Sequence, residues 1–281
     1  ATSGYLTGFD QRFPDATILE LDGNYRSSQE IVALANKIAP DLPLRAVRQL
    51  SSKPKVQAYS SAAAESLDVA KQIQEKAKEQ PLASIAVLAR TNSQLSLIEK
   101  ELQKLSIESQ LRGSGRFFRR PDVMQAHAAI RALRTVATDE PLFVEVSKIL
   151  AALGWSSVAK KSESWEALNW FVEVLDELGN PSLDEYLREL DDWERSGHEP
   201  QREAVTLATI HGTKGLEWQS VFLIGVNQGL FPIGYAKTEA EKAEERRLFY
   251  VAITRAQENL QVSFSKDKGA SEFIALVDSH S

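Results

Sequence analysis

"VTLATIHGTKGLEWQSVFLIGV", Val205 to Val226, holds two β-rich runs, "VTLATI" (205–210) and "SVFLIGV" (220–226), parted by a polar loop. A third run, "QVSFS" (261–265), follows the helical pattern of "EAEKAEERRLFYVAITRA" (239–256). The same alternation fills the first part of the chain. "TILEL" (17–21), a helix from Ser27 to Ala39, "VQAYS" (56–60), a helix near 62–79, "SIAVLAR" (84–90) and a helix near 93–105 succeed one another. Such alternation predicts an α/β fold, a parallel sheet with crossover helices. From about Pro121 to Glu199 the β-branched runs vanish and apolar residues recur at helical spacing, as in "SWEALNWFVEVLDEL". Ser182 with Glu185 makes a capping box after the break "GNPS" (179–182). The simplest account is an all-helical subdomain, 121–202, inserted into an interrupted α/β domain, 1–120 and 203–281, whose sheet draws strands from both ends of the chain.

Composition narrows the function classes. A chain of 281 residues, 43% hydrophobic, can bury a sizeable core. The net charge of -6 argues against an all-over basic coat but allows a local basic groove for nucleic acid. Without cysteine there is no disulfide framework and no thiolate metal site, which fits a reducing cytoplasm. His127, His198, His211 and His280 stand in unrelated segments, so no metal site is expected either. No apolar run approaches the roughly 20 residues that span a bilayer, so no membrane partner is expected.

Four segments concentrate chemistry. In "GNYRSSQE" (23–30), Ser27 reads as an N-cap with Glu30 reaching back, which sets Arg26 beside a helix N-terminus, a fork of donors suited to phosphate oxygens. An ordinary surface turn is the alternative. "TIHGTKGLEW" (209–218) crowds His211, Thr213, Lys214, Glu217 and two glycines after a strand, where open sheets place ligands, though it lacks the order of a phosphate-cradling P-loop. A polar turn with one buried histidine would read the same. "RGSGRFFRRPD" (112–122) interleaves Arg112, Arg116, Arg119 and Arg120 with Phe117 and Phe118, either a stacking platform for single strands or the join between the two parts of the fold. Finally, "EERRLFYVAITRAQENL" (244–260) sets Arg255 just past an apolar stripe, where a charge needs a partner carboxylate or an anionic ligand, while Glu244, Glu245, Arg246 and Arg247 read as solvated pairs.

Taken in order, "LDGNYRSSQEIVALAN", "GSGRFFRRPDVMQA", "VTLATIHGTKGLEWQSVFLIGVNQGLFP" and "EERRLFYVAITRAQENL" closely resemble motif IV, the FFxR block, motif V and motif VI of the UvrD/Rep/PcrA group of superfamily 1 DNA helicases. The resemblance covers 1–124 and 203–281, and the helical part only by position. It implies a RecA-like second motor domain with an inserted helical subdomain, ATP and Mg as cofactors, and single-stranded DNA and single/double-strand junctions as partners. By the same resemblance Arg255 is similar to the motif VI arginine finger and Arg26 to the motif IV arginine, both directed at the γ-phosphate. Tyr25 is similar to the tyrosine that stacks on adenine, and Glu217 to the glutamate near the ribose. Thr209, His211, Arg116 and Arg119 become the candidates for DNA contact.

Gly23 stands where the family usually has Gln, Ala208 where it has Met, Thr213 where it has Ala, and Trp218 where it has Phe; the insert looks shorter than usual. No glycine loop ending in Lys-Ser/Thr and no Asp-Glu metal pair occurs in 1–281, although these bind nucleotide phosphates and Mg. The expectation is therefore a C-terminal half of a 3'-to-5' helicase, inactive alone, whose N-terminal motor domain precedes Ala1. A non-catalytic helicase-like module that binds DNA or protein is the competing reading.

Overall fold

The computed structural model describes residues 13, 22–41, 43–49, 52–112, 117–135, 140–158, 162–196, 200, 202–213 and 215–278. The strand expected at 17–21 lies outside them. Short strands β1 (Gly23–Asn24) and β2 (Arg45–Ala46) form a parallel pair flanking α1 (Gln29–Ile38). The main body follows with β3 (Lys55–Tyr59), α2 (Ala62–Lys76), β4 (Ile85–Ala89), α3 (Asn92–Lys104) and β5 (Ser109–Arg112). Four helices come next, α4 (Pro121–Ala132), α5 (Leu142–Ala152), α6 (Glu163–Glu177) and α7 (Leu183–Ser196). The chain then returns with β6 (Val205–Thr209), β7 (Trp218–Leu223), α8 (Glu239–Ile253), β8 (Ala256–Ser265) and the short α9 (Ile274–Asp278).

Six strands pair in parallel in the order β3-β8-β7-β4-β6-β5. Strands from before the four helices (β3, β4, β5) and after them (β6, β7, β8) thus interleave in one sheet, so the helical segment is an insertion into that sheet. β4, "IAVLA", is buried along its whole length, as a central strand covered by helices on both faces must be. One face packs on Ile31, Leu34, Phe249 and Ala252, the other on Val69, Ile73, Leu95 and Ile98. The helical insert closes over its own core of Val146, Trp170, Phe171 and Tyr186, which also takes in Phe117 and Phe118.

Local signals account for most boundaries. Thr238 and Glu241 form a reciprocal capping box at the start of α8, Thr91 and Gln94 do so at α3, and Ser182 pairs with Glu185 as expected, its hydroxyl accepting from the Glu185 N–H at 3.3 Å. The expected box at Ser27 does not form. α1 starts two residues later, and the Ser27 hydroxyl, fully buried, donates to the Ala256 carbonyl at 2.7 Å, because the loop is pinned to β8 rather than left free to cap its own helix. The edge strand β5 was not foreseen, since "SQLR" offers three polar residues and a single leucine and is identifiable only by its pairing with β6. β8 begins at Ala256, well before the expected 261, because its first turns of sequence are polar and sit at the sheet's end. No helix among the described residues is long and apolar enough to cross a membrane.

Candidate functional site

Helix α8 runs directly into Arg255. Its last carbonyls have no intrahelical partner, and side chains and the next residues take them up. The Thr254 hydroxyl donates to the Tyr250 carbonyl at 2.9 Å, and Arg255 Nε donates to the Val251 carbonyl at 3.1 Å. Arg255 Nη1 crosses to the loop ahead of β7, donating to the carbonyls of Leu216 at 2.9 Å and Thr213 at 3.3 Å. The guanidinium is therefore fixed by three carbonyls. Among the described residues no carboxylate is within ion-pair reach of it, and Nη2 is left without a hydrogen bond. Burial pulls its pKa down, and the neighbouring positive charge of Arg26 pulls the same way, against Glu217 and Tyr250. Two guanidinium groups that repel each other make a place that favours an oxyanion.

Arg26 reaches this place on a loop whose backbone is tied from three sides. Asn24 Oδ1 accepts from the backbone N–H groups of Arg26 at 3.0 Å and Ser27 at 2.9 Å, the self-bonding turn that Asn favours. The Ser28 N–H donates to the Gln257 carbonyl at 2.8 Å, and Arg48 donates to the Arg26 carbonyl at 2.8 Å while pairing with Glu258 at 2.9 Å. Arg26 Nε donates to Glu217 Oε2, and Gln257 donates to Glu217 Oε1 at 2.9 Å. Burial raises the Glu217 pKa, but the hydrogen bonds from Arg26 and Gln257 and the charges of Arg26 and Arg255 outweigh it and hold the carboxyl below its ordinary range. Arg26 and Glu217 remain 35% and 40% exposed, so the pair is worth about 0–1 kcal/mol and yields easily to a better partner.

Tyr25, beside Arg26, is 72% exposed and turns an aromatic face to solvent. Its ring lies over Gly23, where an added Cβ would come within 3.1 Å of Cε2. The glycine at 23 therefore lets the ring rest against the backbone, and a glutamine there would have to displace it by a few tenths of an ångström.

Arg255, Arg26, Tyr25 and Glu217 come together at the N-terminal ends of β7 and β8. Thr209 instead ends β6 and His211 follows it, exposed rather than buried. A 3-10 turn, Ile210–Thr213, and the left-handed Gly215 (φ 79°) lie between His211 and Glu217, and the Thr213 and Leu216 carbonyls of this stretch both accept from Arg255. Thr213 is fully buried, its hydroxyl donating to the Ile210 carbonyl at 2.6 Å, and Lys214 lies outside the described residues.

The FFxR block divides as well. Phe117 and Phe118 are buried edge-to-face with each other at 5.1 Å and against Trp170 at 5.0 and 5.7 Å, so they are core of the helical insert and not a stacking platform. Arg120 is held by Asp122 at 2.8 Å and Glu163 at 2.5 Å, and Arg112 is buried. Arg119 is exposed, and Arg116 lies outside the described residues. Glu245 corrects the view of the helix "EERR" as solvated pairs: Glu244 pairs with Arg247 at the surface, but Glu245 is buried against Arg90, a partner the local sequence does not show.

The family model described as the UvrD-like helicase C-terminal domain matches residues 19–140 and 136–267. ATP-dependent DNA helicase UvrD2 of Mycobacterium tuberculosis is 34% identical over 94% of this chain and 41% of its own length. ATP-dependent DNA helicase PcrA of Bacillus subtilis is 23% identical over 93% of this chain and 48% of its own. The chain thus spans less than half the length of these curated relatives. A solved structure, the C-terminal domain of a possible DNA helicase from a Lactobacillus, aligns over 90% of this chain and 94% of its own with 15% identity and a TM-score of 0.47.

Proposed function

The chain belongs to the UvrD-like helicase C-terminal domain family, and from that premise we propose that 1–120 and 203–281 form the second motor domain of an ATP-dependent 3'-to-5' DNA helicase, with 121–202 as its inserted helical subdomain. The observation that carries this reading is the carbonyl-fixed Arg255, poised beside Arg26 without a carboxylate of its own. Arg255 and Arg26 are assigned to the γ-phosphate, Tyr25 to the adenine face and Glu217 to the ribose. The site suits a nucleotide: an exposed ring, two adjacent cations, and an Arg26–Glu217 pair weak enough to open. When bound, ATP with Mg supplies the transferable phosphoryl group and a strong negative charge. The lysine and acids that would grip them belong, in this reading, to another part of the same protein, so 1–281 alone is expected to be inactive. Arg255 acts by meeting charge that grows on the phosphoryl oxygens in the transition state, a contribution of roughly 10³ to 10⁵ in rate for arginine fingers.

Thr209 and His211, at the other end of β6, and the exposed Arg119 with Arg116 are assigned to single-stranded DNA near single/double-strand junctions, and the protein to the cytoplasm.

The test is ATP turnover stimulated by single-stranded DNA, measured on the longest natural chain that contains these residues, wild type beside Arg255→Ala. A fall in kcat of at least about a hundredfold with KM nearly kept is expected. Turnover that survives would make Arg255 a structural residue and favour a non-catalytic DNA- or protein-binding module.

A further inference from the structure

Inside the helical insert, the His127 ring on α4 is pressed between Phe171, 6.5 Å away, and two carboxylates of α7. His127 is 9% exposed, and its Nε2 is a buried atom without a hydrogen bond, although Asp191 Oδ1 lies 3.3 Å off. On the other edge of the ring, Nδ1 is 3.6 Å from Glu194 Oε2, beyond hydrogen-bond length. Asp191 and Glu194 stand one turn apart on the same helix face, and a donor atom from each of the three residues lies within 4.8 Å of the others. Glu194 has no other polar partner among the described residues.

A buried ring nitrogen without a hydrogen bond, in a cluster where it has one carboxylate beside it and a second on the neighbouring turn of the same helix, is an arrangement that a cation completes. We propose that His127, Asp191 and Glu194 form a three-ligand site for a divalent transition-metal cation, with Zn²⁺ as the ion that best matches one imidazole and two carboxylates. Such a donor set leaves a fourth, tetrahedral position open to water. Asp191 already stands at about the 3.4 Å ligand edge expected for bonds of about 2.1 Å to an ion on Nε2, while Glu194 has to swing from the Nδ1 side of the ring towards Nε2, and at 47% exposed it has room to do so. Arg131, which touches the same Asp191 oxygen, is half exposed and can swing into water as the ion enters. The bound ion would tie α4 to α7 and stiffen the insert where α4 leaves the Phe117–Arg120 segment.

The experiment titrates the full chain, stripped of metal with a chelator, with Zn²⁺ in competition with a coloured indicator, and with Co²⁺ by visible absorption. One ion per chain is expected, with affinity at least tenfold weaker in His127→Ala and in Glu194→Gln, and with the Co²⁺ band lost in both. Glu194→Gln alters a half-exposed side chain and keeps the test sharp if His127→Ala fails to fold. No binding by the wild-type chain overturns the proposal. So does binding unchanged in Glu194→Gln, which would place the ion on other residues.

Discussion

Arg90→Met is the perturbation whose cost the structure defines best. Arg90 follows β4 and Glu245 lies within α8, so their contact ties the sheet to the helix that ends at Arg255. The pair is two-pronged, with Arg90 Nη2 at 2.8 Å from Glu245 Oε1 and Nε at 3.1 Å from Oε2, and Glu245 Oε2 also accepts the Ile233 N–H at 3.1 Å. At 13% and 6% exposed, neither side chain can turn to water. Methionine fills most of the arginine's volume but leaves a buried carboxylate with one backbone donor. Breaking such a pair costs about 3–5 kcal/mol. In a chain of this size that is roughly a 6–20 °C fall in Tm. Urea unfolding followed by far-ultraviolet circular dichroism, with the m-value checked for constancy, measures the loss. Adding Glu245→Gln to Arg90→Met removes the stranded charge yet keeps an acceptor for Ile233, so the double variant should recover at least about 2 kcal/mol over Arg90→Met alone. Arg90→Met within about 1 kcal/mol of wild type, or strictly additive single effects, would refute the reasoning.

Other perturbations address the site and the core. Tyr25→Ala should raise the KM for ATP roughly tenfold, the weight of about 1.4 kcal/mol of stacking, while kcat changes little; steady-state kinetics with an unchanged KM would make the ring merely structural. Glu65 is buried behind the sheet, accepting from the Gly225 N–H at 2.9 Å and the Ser263 hydroxyl at 2.5 Å, and burial raises its pKa despite both bonds. A raised folded-state pKa gives stability that is fully present below the ordinary carboxylate range and lost as pH climbs through the folded value. Glu65→Gln keeps an acceptor without the charge, so the Tm of the variant minus that of wild type should grow as pH climbs above the ordinary carboxylate range; a flat difference would show the carboxylate to be ionised at no cost.

Much of the candidate site was legible because each of its residues sits in a short, ordered motif. Asn24, Tyr25 and Arg26 are adjacent, Glu217 closes a glycine-containing turn, and Arg255 ends an apolar helical stripe. The fold was legible for a similar reason: β-rich runs and 3.6-residue periodicity depend on near neighbours. The partner of Arg255 was not. Backbone carbonyls of Thr213, Leu216 and Val251 hold it, and a carbonyl leaves no mark in a sequence. Phe117 and Phe118 could have stacked bases by their composition, yet Trp170, distant in sequence, buries them.

By itself, then, the sequence determined an α/β sheet interrupted by helices and the short segments in which its charged residues stand, since propensity, capping and motif order act over a few residues. Tertiary structure alone decided which charges face each other. Glu245 found Arg90, and His127 found Asp191 and Glu194, because desolvation and pairing depend on what the folded chain brings within a few ångströms.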